Sequence, residues 1–355
     1  MKRLIIEQQA IKHNADVIKG KAGSAEIYAI LTGDAYGAGL TEMADLLRSV
    51  GIGRFAVSEP DDVEALRRKG FVEEEILMLR STTDCAELEQ LVDSNAVCTI
   101  GSYDTGVALN ALAENRATAV EAHLQIDTGM GFGGFLADEP DKFLSMYRYL
   151  PKVAITGVYT QLHRSGRNRK SVTAQLQKFS SALESIRAAG FETGIVHASG
   201  TDALLHRAEA SLDAVMVGSA FVGRGDRERD DALTRVGYGE AGLEEIRWLP
   251  KGHTVGTYTQ ITLHKPTRVA VIPVGSQNGL GIAWSRCGGF WDAVYRWWTE
   301  RRMAVRIGGQ RVRIIGRIGK METVLDVTNI KCSAGDAAVF DLDPMYARGL
   351  PFIYR

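Results

Sequence analysis

Short apolar runs alternate with longer stretches of helical spacing through roughly the first two thirds of the chain. The runs Ala29–Leu31, Arg54–Ser58, Glu75–Leu79, Ala96–Ile100, Ala122–Ile126, Ala154–Tyr159, Ile195–Ala198 and Ala214–Val217 have the length and β-branched content of buried strands. Between them the spacing predicts helices over Thr41–Val50, Asp61–Lys69, Ala86–Val92, Thr105–Asn115, Pro140–Leu150 and Val172–Ala189, with a short one near Asp202–Arg207. Eight strands alternating with helices predict an α/β fold, an N-terminal (β/α)8 TIM-like barrel.

The alternation stops at the charged stretch Arg224–Asp231, which suits a linker. Beyond it Val255–Leu263, Arg268–Val274, Met303–Ile307, Arg311–Ile315, Val324–Val327 and Ala337–Asp341 read as strands separated by glycine-containing turns. The expected organisation is a barrel over residues 1–230 and a mostly β C-terminal domain over 231–355, with the chain's first strand free to join the β domain. One segment near 290–302 breaks the β pattern. Trp291, Val294, Tyr295 and Trp298 share one face of a helix. That face either packs on the β domain or forms a partner surface, since tryptophan, tyrosine and arginine are enriched at binding hot spots.

Composition narrows the setting. The chain has 355 residues, 45% hydrophobic and 24% charged, with a formal net charge of -1. Such a chain buries a sizeable core and has no whole-chain attraction for nucleic acid or an anionic membrane. Cys85, Cys98, Cys287 and Cys332 form no CxxC pair and are expected as free thiols. No metal-ligand spacing stands out. With no apolar run near the ~20 residues of a membrane span and no signal-peptide pattern at the start, a cytoplasmic protein without membrane contact is expected.

The chemistry is carried by spaced motifs. Thr32-Gly33-Asp34-Ala35-Tyr36-Gly37-Ala38-Gly39 follows the first barrel strand, and His123-Leu124-Gln125-Ile126-Asp127-Thr128-Gly129-Met130-Gly131 covers the fifth. His197-Ala198-Ser199-Gly200-Thr201 and Val215-Met216-Val217-Gly218-Ser219-Ala220 close the barrel series. Pro273-Val274-Gly275 and Gly316-Arg317 through Asp326-Val327-Thr328 follow in the second domain. In order and spacing, this set resembles the alanine racemase family of pyridoxal-phosphate enzymes.

The resemblance implies the same barrel and β domain, and it also marks departures. Thr32 stands where the family has its Schiff-base lysine, and Thr257 falls on its tyrosine base. Phe132 and Met216 stand where it has arginines, the second against the cofactor's pyridine nitrogen. Gln161 takes the place of a histidine, with His163 two residues on, and Ser276 that of a tyrosine. Neither threonine forms an imine or acts as an adequate base, and each positioned acid–base group contributes ~10²–10⁴-fold. No alanine racemization is therefore expected. No bound cofactor is expected either, although noncovalent pyridoxal phosphate, not attached at Thr32, stays open.

By the same resemblance Tyr36, Thr201, Gly218, Ser219 and His197 are the candidate cofactor or anion site. These small residues either cradle a phosphate or merely shape the barrel mouth. Lys320, Asp34 and His163 are further ligand candidates, Lys320 from a neighbouring subunit. The expected partners are a second copy of the chain, an active racemase in a heterodimer, and a small anionic or phosphorylated ligand. The expected protein is thus a lapsed homologue that acts by binding, with an altered pyridoxal-phosphate racemase as the alternative.

Overall fold

In the computed structural model, residues 1–163, 169–206, 211–224, 232–256, 261–282 and 305–355 are described. Two compact units divide the chain: Ala10–Arg235, and Met1–Gln9 with Val236–Arg355. The aromatic stretch Trp291–Trp298, Cys287, Thr257 and most of the linker expected at Arg224–Asp231 lie outside the described residues.

The strands of the first part of the chain are β1 (Lys2–Ile6), β2 (Glu26–Ile30), β3 (Arg54–Val57), β4 (Glu75–Met78), β5 (Cys98–Ile100), β6 (Val120–Asp127), β7 (Phe135–Leu136), β8 (Val153–Tyr159), β9 (Ile195–Ser199) and β10 (Ala214–Val217). In the larger unit β4-β3-β2-β10-β9-β8-β6-β5 lie side by side, with the two-residue β7 beside β6. All these pairings are parallel. The ends of the sheet also meet: Met78 N–H donates to Val97 O at 2.8 Å and Val97 N–H to Ile76 O at 2.9 Å. The sheet is therefore a closed barrel, and all eight expected strands belong to it.

The helices are α1 (Gln8–Ala22), α2 (Leu40–Ser49), α3 (Pro60–Lys69), α4 (Cys85–Asp93), α5 (Tyr103–Asn115), α6 (Pro140–Tyr149), α7 (Arg169–Ala188) and α8 (Thr201–His206). Local signals set several of their ends. Pro60 opens α3 with Asp61 and Asp62 in its first turn, Arg67, Arg68 and Lys69 in its last, and a left-handed Gly70 after it. Asp84 and Ser102 cap α4 and α5 by accepting the Glu87 and Thr105 N–H groups. Along α7 the buried face is Val172, Gln175, Phe179, Ala182, Leu183 and Ile186, at helical spacing. No helix among the described residues is long and apolar enough to cross a membrane.

The second unit is mostly β. It holds β11 (Tyr238–Gly242), β12 (Glu245–Leu249), β13 (Thr254–Val255), β14 (Ile261–Thr262), β15 (Thr267–Ile272), β16 (Val305–Ile307), β17 (Gln310–Ile314), β18 (Thr323–Asp326), β19 (Ala337–Asp341) and β20 (Phe352–Tyr354). One sheet runs β12-β15-β18-β17-β16-β19-β11-β1-β20, and β13 pairs with β14. The chain's first strand, β1, therefore sits in this sheet, antiparallel to β11 and parallel to β20.

Strand β11 was not foreseen because its sequence, Tyr-Gly-Glu-Ala-Gly, has low strand propensity. Its place comes from packing. The Phe340 ring lies over Gly239, where a Cβ atom would collide with it. Gly239→Ala should therefore cost about 1–3 kcal/mol through overpacking. A lower urea midpoint at unchanged m-value is the expected result, and an unchanged midpoint would contradict this packing role.

Candidate functional site

At the C-terminal end of β2 the chain makes an uncommon turn. Gly33, Asp34, Ala35 and Tyr36 are consecutive and all left-handed, with φ of 62°, 57°, 52° and 58°. An L-residue in this region costs roughly 1–2 kcal/mol. The turn is held from inside. Ala35 is buried, its N–H donates to Leu31 O at 2.8 Å, and the Gly39 N–H donates to Asp34 O at 3.0 Å. The Asp34 carboxylate accepts the Leu40 N–H at 2.7 Å, at the start of α2. Asp34 is thus engaged as a capping group, and Thr32 opens the turn half-buried.

The turn brings Tyr36 against the end of β10. Its phenol occupies the space where a Cβ on Gly218 would stand, so glycine is required at that contact. Gly218 N–H donates to Thr201 Oγ1 at 3.3 Å, which leaves the Thr201 O–H as a donor. The next turn is tied by Phe221 N–H to Gly218 O and Arg224 N–H to Ser219 O, both 3.0 Å. Tyr36, Thr201, Gly218 and Ser219 therefore lie together around the ends of β2, β9 and β10. Neutral hydroxyl and backbone donors of this kind suit an anion at the mouth of a parallel barrel.

His163 lies beside another strand end. A Cβ on Gly129 would touch its ring, and Gln175 clamps its backbone, accepting the His163 N–H and donating to the His163 carbonyl, both at 3.1 Å. The adjoining loop is built on Asp127, whose carboxylate accepts N–H groups from Gly129, Met130 and Gly131 at 2.8, 2.8 and 3.0 Å. Phe132 in this loop is 67% exposed. Lys320 belongs to the other unit, exposed on a loop where its carbonyl accepts the Gln277 N–H at 3.0 Å.

His197 sits deeper than the cup. It is fully buried in the barrel, its ring stacked on Tyr159 (4.9 Å, 5°) and on Tyr28 (5.1 Å, 22°). Its Nε2 lies 3.0 Å from His123 Nδ1, and its Nδ1 is buried without a partner. Beyond His123 are Glu75, whose Oε1 is 3.9 Å from His123 Nε2, and Arg54 and Tyr28, both bonded to the Glu75 carboxylate. Tyr159 donates to Leu79 O at 3.3 Å and meets Thr99 Oγ1 at 3.1 Å.

Desolvation dominates this interior. It pushes His123 down to about 3 and His197 well below its ordinary value, with smaller contributions from the Arg54 cation and, for His197, from His123. Sequence reasoning missed His123, Glu75, Arg54, Tyr28 and Tyr159. A signal was present, since His123, Glu75, Arg54 and Tyr159 are polar-tipped or charged residues within strands read only as apolar, and Tyr28 directly precedes the expected strand Ala29–Leu31. Among the described residues no cluster of potential metal ligands occurs, and Cys85, Cys98 and Cys332 are free thiols.

A closed parallel barrel with hydroxyl and backbone N–H groups gathered at one end, in one chain with a β-rich unit, is the architecture in hand. The comparisons give its lineage. The model of the alanine racemase N-terminal domain matches residues 6–225 and that of the C-terminal domain residues 236–341. The chain belongs to the alanine racemase family. It is 28% identical over 351 residues to an alanine racemase of Desulfosudis oleivorans, covering 94% of this chain and 85% of that one. A lysine racemase of Proteus mirabilis is 26% identical over 345 residues, covering 94% and 79%. The fold is shared with an alanine racemase of Clostridium difficile 630, at a TM-score of 0.86 and 19% identity over 100% of this chain and 95% of that one.

The buried histidines carry a pH dependence with a definite sign. Their native protonation is suppressed, whereas the unfolded chain takes up protons below about pH 6.5. Stability is therefore complete above about pH 6.5 and falls as pH drops towards 3, by up to about 1.4 kcal/mol per pH unit for each group. Urea unfolding between pH 7 and 4.5 should give this slope, and His123→Gln should flatten it. A wild-type curve flat over that range would contradict the buried neutral pair.

Proposed function

We propose that this chain binds a small phosphorylated or otherwise anionic ligand at the barrel mouth and does not racemize amino acids. The observation that carries the reading is the contrast between two ends of one site. The cup of Tyr36, Thr201, Gly218 and Ser219 is assembled, while Thr32 at the foot of the left-handed turn has no amine. Pyridoxal phosphate fits this mouth in part. Its phosphate suits the cup, but Thr32 forms no imine and the Met216 thioether offers no hydrogen bond to a pyridine nitrogen. No catalytic step is derived through it, and any capture is noncovalent and weak.

In this reading the protein is a cytoplasmic pseudoenzyme of the family, acting through ligand or partner binding. A second copy of the chain is the expected partner, with an active racemase as a heterodimeric alternative. Lys320, on its exposed loop, is the cation that another subunit would receive. The competing reading is a pyridoxal-phosphate racemase with altered catalytic residues. It is favoured by the curated relatives, racemases matched over more than 90% of this chain.

One experiment separates the readings. Purified protein is incubated with pyridoxal phosphate, scanned for absorbance and assayed for alanine and lysine racemization. The expected result is no aldimine band and no racemization, with Thr32→Lys gaining the band. An aldimine band in the unsubstituted chain, or racemization at a substantial rate, would sink the binding-protein reading. Thr201→Ala should weaken inorganic phosphate by about tenfold, the worth of one hydrogen bond to a charged group.

A further inference from the structure

We propose that Gln125 recognises the far end of the ligand, and that this end is a neutral amide-type edge, with N–H and C=O side by side. The inference rests on the anion-cup reading, which supplies the other end of the same ligand.

Inward positions of a strand recur every second residue. His123, His197 and Tyr28 meet inside the barrel: the histidines are 3.0 Å apart, and the Tyr28 ring centroid is 5.9 and 5.1 Å from theirs. Gln125 and Ile30 stand two residues after His123 and Tyr28 on β6 and β2, so they share the inward face, nearer the C-terminal strand ends. Ile30 and Leu79, half-buried, pack on the core that contains Tyr28, Tyr159 and Met216. Strand β2 ends at Ile30 and β4 at Met78, so this layer forms the floor of the mouth. The cup residues Gly218 and Thr201 follow β10 and β9. In the ring order β10-β9-β8-β6, Gln125 is three strands round from Gly218, across the mouth.

Gln125 is only 8% exposed, and its carboxamide makes no hydrogen bond. Neither amide atom is sealed off, since both keep accessible surface. Its neighbours are occupied. Asp127 accepts three N–H groups, Thr128 and Thr160 bond each other at 2.9 Å, and Ser81 meets Thr105 at 2.8 Å. Gly133 holds the amide in place: a Cβ there would stand 3.1 Å from both Nε2 and Oε1, so bare backbone packs against it. A largely buried amide without a partner is costly until something meets it.

The amide also selects what meets it. Nε2 donates and Oε1 accepts, so the edge that satisfies both carries an acceptor beside a donor. A carboxylate would leave Oε1 unpaired, and an ammonium would leave Nε2 unpaired. Either charge would be desolvated against Ile30 and Leu79 with no counter-ion among the inward residues named here. One precisely placed polar group on an apolar floor is how small-molecule sites fix orientation.

The test uses three probes that share a phosphate and a flat ring: para-carbamoylphenyl, para-acetylphenyl and para-carboxyphenyl phosphate. Calorimetry on the whole chain should show the carbamoyl probe binding about tenfold more tightly than the acetyl probe, the worth of a hydrogen bond in a buried site, with the carboxy probe weakest. In Gln125→Met the carbamoyl and acetyl probes should bind alike. Nitrogen-15 spectra of the unsubstituted chain, with the Gln125 side-chain amide assigned through its own backbone, should show that signal shifting with the carbamoyl probe and not with inorganic phosphate.

Equal affinity for the carbamoyl and acetyl probes with an unmoved Gln125 signal overturns the inference; this is the outcome if a trapped water already satisfies the amide. A preference that survives in Gln125→Met overturns it too, because another residue then reads the edge. If inorganic phosphate binds without any preference among the probes, only the Gln125 assignment falls. If neither phosphate nor any probe binds, the anion cup is wrong, and the proposed function falls with it.

Discussion

Closure of the parallel sheet is the constraint from which the rest of the larger unit follows. The two hydrogen bonds joining Val97 to Ile76 and Met78 complete the ring. The side chains at the centre of the barrel then lie in a space without bulk water. Tyr28, Ala56, Leu77, Val97, Tyr159, Ala214 and Met216 fill it as one apolar cluster. Histidine and tyrosine in such a cluster must find partners among themselves, because an unpaired buried polar group costs more than its hydrogen bond returns. That requirement produces the succession Glu75, His123, His197, with Gly157 left bare so that the His123 ring can lie over it.

The mouth is governed by a different economy. Three non-glycine residues in left-handed geometry hold roughly 3–6 kcal/mol of unfavourable backbone energy. Strain of this kind persists only where surrounding contacts over-determine it, and it clusters at functional sites. Here the buried Ala35, the Asp34 cap on α2 and the fit of Tyr36 against Gly218 do so. The result is a hydroxyl placed over the ends of the last two barrel strands, beside Thr201.

Much of this was legible along the chain, and the reason is locality. Strands of four to eight residues and helices with period 3.6 announce themselves through neighbours close in sequence, so the barrel, the helices on it and the β-rich second unit follow from pattern alone. The glycine-punctuated motifs are also local, but the grouping of Tyr36, Thr201, Gly218 and Ser219 came from the family resemblance, since these residues lie far apart in sequence. Helix α1 and strand β11 were not legible. The polar residues of α1 obscured its apolar stripe, and β11 depends on pairing with β1 and β19, far away in sequence.

What only the tertiary structure decided is the role of each polar group. The sequence by itself determined that His197 stands near the end of a barrel strand. It held no sign that the ring is stacked between Tyr28 and Tyr159 or joined to His123, because those contacts link residues 38 to 169 positions apart. Nor did it reveal that Asp34 caps a helix, or that four successive residues turn left-handed, since a left-handed run is locally unfavourable and persists only through its surroundings. Local pattern sets which elements form. Which protons lie where depends on contacts that exist only once the barrel has closed.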